Sequence, residues 1–98
     1  MLILQTISRN GEMHGFEIAE AIERVSVDVF RVEEGSLYPA LQRLLIKGFV
    51  KAEWGRTAEN RRARYYTILA AGKRQLAQEV KSYERATVAI ARILQPAF

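Results

Sequence analysis

Arg61, Arg62 and Arg64 place three guanidinium groups within four residues, and the stretch Gly35-Ser36-Leu37-Tyr38-Pro39-Ala40-Leu41-Gln42-Arg43-Leu44 precedes them. The chemistry open to these side chains is recognition of a polyanion. Arginine carries its donors in a planar fork that fits phosphate oxygens or the edge of guanine, while serine and glutamine bond base edges directly. Groups for turnover are sparse. His14 is the one histidine, cysteine is absent, and no glycine-rich phosphate loop occurs. Without a second histidine or any thiolate, a metal site is not expected, and His14 has no nucleophile beside it at a motif. No catalytic residue, metal or cofactor is therefore assigned.

Such residues act only if something presents them, and the pattern around each supplies a carrier. Leu37, Leu41, Leu44 and Leu45 make an apolar stripe. At about 100° per residue, Ser36, Pro39, Arg43 and Lys47 gather on the opposite face, with Tyr38 and Gln42 flanking it. Pro39 lacks an N–H, so this helix must start about one turn before it. Ser36 suits a cap or first-turn position, and Gly48 ends the helix by accepting positive φ. Phe49 to Trp54 reads as a strand, Gly55 to Asn60 as a turn and Arg64 to Leu69 as a second strand. Strand alternation puts Arg62 and Arg64 on one side and Arg61 with Ala63 on the other, so two of the three arginines share a surface unless the tip bends.

Around this pair lie three further helices. Leu2, Ile3, Leu4 and Ile7 form a short stripe that breaks at Asn10-Gly11. A second helix is predicted from His14-Gly15 to Val25, with Phe16, Ala19, Ile22 and Val25 inward and Glu17, Glu20 and Glu23 outward. The β-branched run from Val27 to Val32 predicts a short strand. From Ala70 a long helix runs to about Gln95, where Pro96 stops it. Along it Leu76, Val80, Tyr83, Thr87, Ile90 and Leu94 alternate in steps of four and three, the spacing of a seam that meets a second helix.

Several side chains admit two readings. Tyr38 serves equally as a phosphate contact through its hydroxyl or as a half-buried aromatic closing the core. His14 suits either helix packing or a place near backbone phosphates. Trp54, Tyr65 and Tyr66 are expected to pack in the core. The seam on the last helix has a competitor in packing against its own domain, and dimerisation is preferred because a small domain cannot cover so long a stripe.

Charge and size narrow the classes. The chain of 98 residues fits one winged unit with an appended helix, divided as 1–69 for DNA binding and 70–98 for dimerisation. Hydrophobic residues at 49% and charged ones at 27% exclude a disordered tail. Net charge is +4, but it is segregated: residues 1–34 hold three basic against seven acidic groups, residues 35–74 nine against two, and residues 75–98 three against two. The positive charge lies on the proposed helix and hairpin, the footprint of a nucleic-acid partner. The start lacks the cationic region and apolar run of a signal peptide, and no stretch reaches membrane-spanning length, so a cytoplasmic protein is expected.

The sequence resembles the PadR family of phenolic-acid-responsive transcriptional repressors. The resemblance rests on Met13-His14-Gly15-Phe16-Glu17-Ile18, Glu34-Gly35-Ser36-Leu37-Tyr38-Pro39-Ala40-Leu41, Gly48-Phe49-Val50, and Arg61-Arg62-Ala63-Arg64-Tyr65-Tyr66 with Leu69 and Gly72. It implies a homodimeric regulator that binds a pseudo-palindromic double-stranded operator and is released by a small-molecule effector or another signal. Family members usually carry several more residues ahead of Met1, and those with a multi-helix carboxy-terminal domain are longer; this chain looks like the short class with a single helix there. The fold expected is mainly α with a small β-hairpin, a winged helix-turn-helix plus a long carboxy-terminal helix. Specificity is assigned to Ser36, Pro39, Gln42 and Arg43 and affinity to Lys47 and the wing arginines. The alternative is a winged-helix protein-interaction module without operator specificity, whose basic surface meets an acidic protein.

Overall fold

The computed structural model describes residues 1–95. Four helices and three strands follow in the order α1 (Leu2–Asn10), β1 (Met13–His14), α2 (Gly15–Val25), α3 (Glu34–Ile46), β2 (Val50–Arg56), β3 (Arg62–Ile68) and α4 (Ala70–Leu94). The expected winged helix-turn-helix is present, with the long helix after it. Pro96, expected to stop that helix, lies outside the described residues. Gln95, just before it, is already extended at ψ 143, as the residue preceding a proline prefers.

α1, α2 and α3 converge on Leu4, Ile7, Ile18, Leu41 and Val50, all of them fully buried. On α2 the buried side chains are Ile18, Ala21 and Ile22, with Ala19 packed beside them, so the middle of the expected row faces the core and its two ends do not. Phe16 is 67% exposed and Val25 lies open at the far end. The reason is geometric. Residues three apart drift about 60° per step around a helix, so a row of four cannot keep both ends on the core, whereas positions i, i+3 and i+4 can.

His14 caps α2. Its Nδ1 accepts from the Glu17 backbone N–H at 3.4 Å while its own N–H donates to Glu17 Oε1 at 3.1 Å, a reciprocal box that satisfies two orphan donors. His14 is also the second residue of β1, a strand that the residue pattern does not announce, in which Met13 pairs with Tyr66 and His14 with Tyr65.

The strand expected over Val27 to Val32 does not form. Ser26 to Phe30 is a turn, with Val27 and Asp28 at φ 52 and 60. Backbone donors there find local acceptors: Phe30 N–H bonds Ser26 Oγ at 3.1 Å and Val32 N–H bonds Glu23 Oε1 at 3.1 Å. Side chains that close a turn compete with a sheet for the same groups. Val27 is left 82% exposed.

α3 begins one residue after Glu33, and no side chain caps it. Ser36 is therefore a first-turn residue. Its far end is a Schellman motif, in which Gly48 N–H bonds the Leu45 carbonyl and Phe49 N–H the Leu44 carbonyl, both at 3.0 Å, with Gly48 at φ 74. The hairpin follows at once. Its strands reach further than expected, from Val50↔Ile68 out to Arg56↔Arg62. Thr57 to Asn60 is closed by a 2.9 Å backbone bond, and Asn60 at φ 61 carries the chain back; asparagine tolerates this conformation. Sheet order is β1-β3-β2.

α4 is seated by Gly72. A Cβ there would stand 2.1 Å from the Phe49 carbonyl oxygen, so only glycine lets the helix approach the strand. Leu76 and Val80 join the core cluster, and every α4 residue from Lys81 on is exposed. One turn apart on the same helix, Gln75 donates to Glu79 at 3.1 Å. That bond, with the Met1 ammonium 3.0 Å away and the charge of Lys47, holds the Glu79 carboxyl below its ordinary range against partial desolvation.

Candidate nucleic-acid interface

α3 forms a ridge between two clefts. With Leu37 and Leu41 buried beneath, Pro39 stands on its outer side. Toward the hairpin lies a cleft of about 430 Å³ lined by Tyr38 and Gln42 of α3, His14, Gly15 and Phe16 at the start of α2, and Trp54, Arg61, Arg62, Arg64 and Tyr66 of the wing. On the other flank Ser36, Arg43 and Lys47 line a second cleft, about 520 Å³, with Arg31, Phe30 and the start of α1. The nine expected DNA-contact residues are thus divided. Tyr38, Gln42 and the three wing arginines lie together, Ser36, Arg43 and Lys47 lie across the ridge, and Pro39 lies between.

All three wing arginines share one cleft. Alternation would have sent Arg61 to the far side, but Arg61 belongs to the turn, where its N–H bonds Thr57 Oγ1 at 3.2 Å; strand alternation begins only at Arg62. Arg56, not singled out in the sequence, stands opposite Arg62 and turns back to the Asn60 carbonyl at 3.3 Å. Tyr38 leans on α2, with a Cβ on Gly15 falling 3.2–3.4 Å from its ring and hydroxyl. It is half exposed and closes no core.

Trp54 is the main correction among the aromatics. Tyr66 is buried and Tyr65 half-buried, as packing residues should be, but Trp54 is 60% exposed. The signal was available in the register. Val50, Ala52 and Trp54 share one face with Ile68, Tyr66 and Arg64, and this face leaves the core at the hairpin's outer half.

Electrostatics follow from which charges are paired. Glu20 meets Arg24 at 3.7 Å, Glu23 meets Arg31 at 3.9 Å and Glu53 meets Lys51 at 3.6 Å. Among the described residues, no carboxylate lies within 4.0 Å of Arg43, Lys47, Arg61, Arg62 or Arg64. Five cations around α3 are therefore left without a close carboxylate partner and can neutralise an anion. The described residues contain no group of His, Cys, Asp and Glu arranged to hold a metal ion, and no helix among them is long and apolar enough to cross a membrane.

Fold and site together define a winged helix-turn-helix protein with a basic wing. Residues 3–78 match the transcriptional regulator PadR-like family, and the chain belongs to that family. A protein of Lysinibacillus sphaericus whose role is uncharacterised is 31% identical over 72 residues, 74% of this chain and 66% of that relative, just under two thirds of its length. Among solved structures, a transcriptional regulator from Clostridium thermocellum superposes with TM-score 0.84 at 24% identity, covering 96% of this chain and 91% of that one. A PadR-like transcriptional regulator from Bacillus cereus gives TM-score 0.80 at 25% identity, over 97% and 89%. PadR of Bacillus subtilis, solved in complex with operator DNA, gives TM-score 0.70 at 23% identity over 81% of this chain but 43% of its own.

Proposed function

We propose that this chain is a homodimeric repressor that binds a double-stranded operator, with α3 in the major groove and the hairpin on the adjoining backbone. The observation that carries the reading is the unpaired set Arg43, Lys47, Arg61, Arg62 and Arg64, arrayed on both flanks of a helix whose outer side is open. A helix of this width enters the major groove, where its flanks face phosphate walls on either side. Family membership and the operator complex of the Bacillus subtilis relative support the same partner.

In this reading Ser36, Pro39, Gln42 and Arg43 meet base edges. Lys47, Arg61, Arg62 and Arg64 neutralise phosphates, with the Tyr38 hydroxyl bonding one more. Residues 1–69 bind DNA and α4 joins two copies. The exposed positions Tyr83, Thr87, Ile90 and Leu94 form the seam that continues from Leu76 and Val80. A small-molecule effector releases the operator by changing the angle between the two winged units, so that half-site spacing no longer matches the groove repeat. Such a protein works in the cytoplasm, where its DNA is.

Selection of bound duplexes from a random pool tests the reading. The expected product is two inverted half-sites at a fixed separation near one helical turn, about 34–36 Å centre to centre or a multiple of it. Recovery of unrelated duplexes, with binding lost under excess random DNA, would replace operator recognition with the protein-interaction alternative.

A further inference from the structure

Trp54 is the only tryptophan in the chain, and the core does not use it. It stands directly opposite Arg64 across the hairpin, on the face that looks into the cleft. The Arg62 guanidinium carbon lies 4.5 Å from the centre of its ring and that of Arg64 lies 5.7 Å away. Arg64 also approaches the ring of buried Tyr66 at 6.0 Å, and among the described residues its buried Nε has no hydrogen-bond partner. Both distances to Trp54 fall in the range where an aromatic face attracts a cation.

The backing of this ring is stiff. On the opposite face of the sheet, Tyr65 packs where a Cβ on Gly55 would come within 3.0 Å of its ring, and its hydroxyl donates to the Arg56 carbonyl at 3.1 Å. The strand just past Trp54 is thereby pinned from behind. Arg56, the third cation on the face, is drawn off toward Asn60. What remains is an indole with two guanidinium groups against it.

We propose that Trp54 is a positioning residue of the wing, which holds Arg62 and Arg64 stacked and correctly spaced before DNA arrives. The inference rests on the DNA-binding reading and deepens it. Stacking occupies the flat face of a guanidinium, whereas its N–H donors project in the plane of the group. The same arginine can therefore lie on Trp54 and still bond a phosphate oxygen at its edge. Two like charges on flexible stems would otherwise spread apart and have to be ordered on binding. That ordering ordinarily weakens association by about threefold or more per arginine.

The consequence separates Trp54 from the arginines it serves. Trp54→Ala leaves the phosphate contacts in place but makes each less favourable, so duplex affinity falls roughly tenfold while its dependence on salt concentration keeps its slope. Arg62→Ala lowers affinity and also reduces the slope by about 0.9 for each phosphate that is no longer neutralised. Trp54→Phe restores most of the affinity because it keeps an aromatic face, and Trp54→Leu does not. Because Trp54 is the sole indole, its emission reports the stack without DNA: Arg62→Ala and Arg64→Ala should each shift emission and raise its quenching by acrylamide in the free protein. Circular dichroism on every variant confirms the fold. Wild-type binding with an unaltered Trp54→Ala affinity overturns the proposal alone. So does rescue by leucine equal to that by phenylalanine, or indole emission indifferent to both arginine variants. A wild-type protein that binds no duplex overturns the operator reading and this proposal with it, whatever the emission shows.

Discussion

Arg43 and the wing arginines flank α3 on opposite sides, and their separation gives them different tests. In the proposed complex Arg43→Ala relaxes preference at one base pair per half-site and costs about 1–3 kcal/mol, the worth of a bidentate guanine contact. Titration of operator variants at that position checks this, and an equal loss on every sequence would reassign Arg43 to a phosphate. Replacing Arg62 and Arg64 together should weaken specific and random duplexes alike and flatten the salt dependence by roughly 0.9 for each phosphate left without its arginine. An unchanged slope in the folded double variant would remove the wing from the interface. The arginine cluster was plain in the sequence because three such charges in four residues have few other uses. Its sharing of one cleft was not, since the position of Arg61 depends on where the turn gives way to the strand. Trp54 was hidden for another reason: an aromatic on a strand looks like core until the register shows how far along the hairpin it stands.

The elements themselves were legible wherever a local rule matched the tertiary demand. Gly48 ends α3 because its positive φ completes the Schellman bonds, and Leu37 with Leu41 turns the remaining side outward. The turn after α2 broke the correspondence. Its valines have strand composition, yet Ser26 and Glu23 capture the backbone donors first. Val27 consequently adopts a left-handed conformation that costs about 1–2 kcal/mol for most residues, asparagine being among the few that visit it readily. Val27→Asn should therefore raise stability by about 1 kcal/mol in urea unfolding, since this exposed side chain gives up little packing. Equal or lower stability would mean that the valine has a use on the surface. Gly72→Ala carries the opposite sign. Helix propensity favours alanine by about 1 kcal/mol, but the added methyl meets the Phe49 carbonyl oxygen. A net loss of about 1–3 kcal/mol is expected from the forced displacement. A neutral result would show that the start of α4 can slide along β2.

The whole molecule measures 61 × 28 × 22 Å, and its length is due to α4. The heptad spacing was legible, but it does not say where one kind of burial hands over to another. Leu76 and Val80 are claimed by the winged unit, while Ile90 and Leu94 stand exposed among the described residues. If α4 joins two copies as proposed, Ile90→Asp with Leu94→Asp should leave the helical signal intact and produce a monomer by sedimentation, since charges in an apolar seam go unpaired. Operator affinity should fall more than any single contact explains, because two joined units bind with the effective concentration of a tether. A double variant that remains dimeric would move the seam elsewhere, and a monomer that binds the full operator as before would separate dimerisation from recognition. A last consequence comes from β1, whose two residues tie His14 and Met13 to Tyr65 and Tyr66. Because α2 starts immediately after that ladder, helix and hairpin cannot part without breaking it. Deuterium exchange at these amides is thus set by a shared opening event and not by fraying of the wing alone. During synthesis this ladder can close only after Tyr66 has left the ribosome, so the tie between α2 and the hairpin is made after both amino-terminal helices have been synthesised.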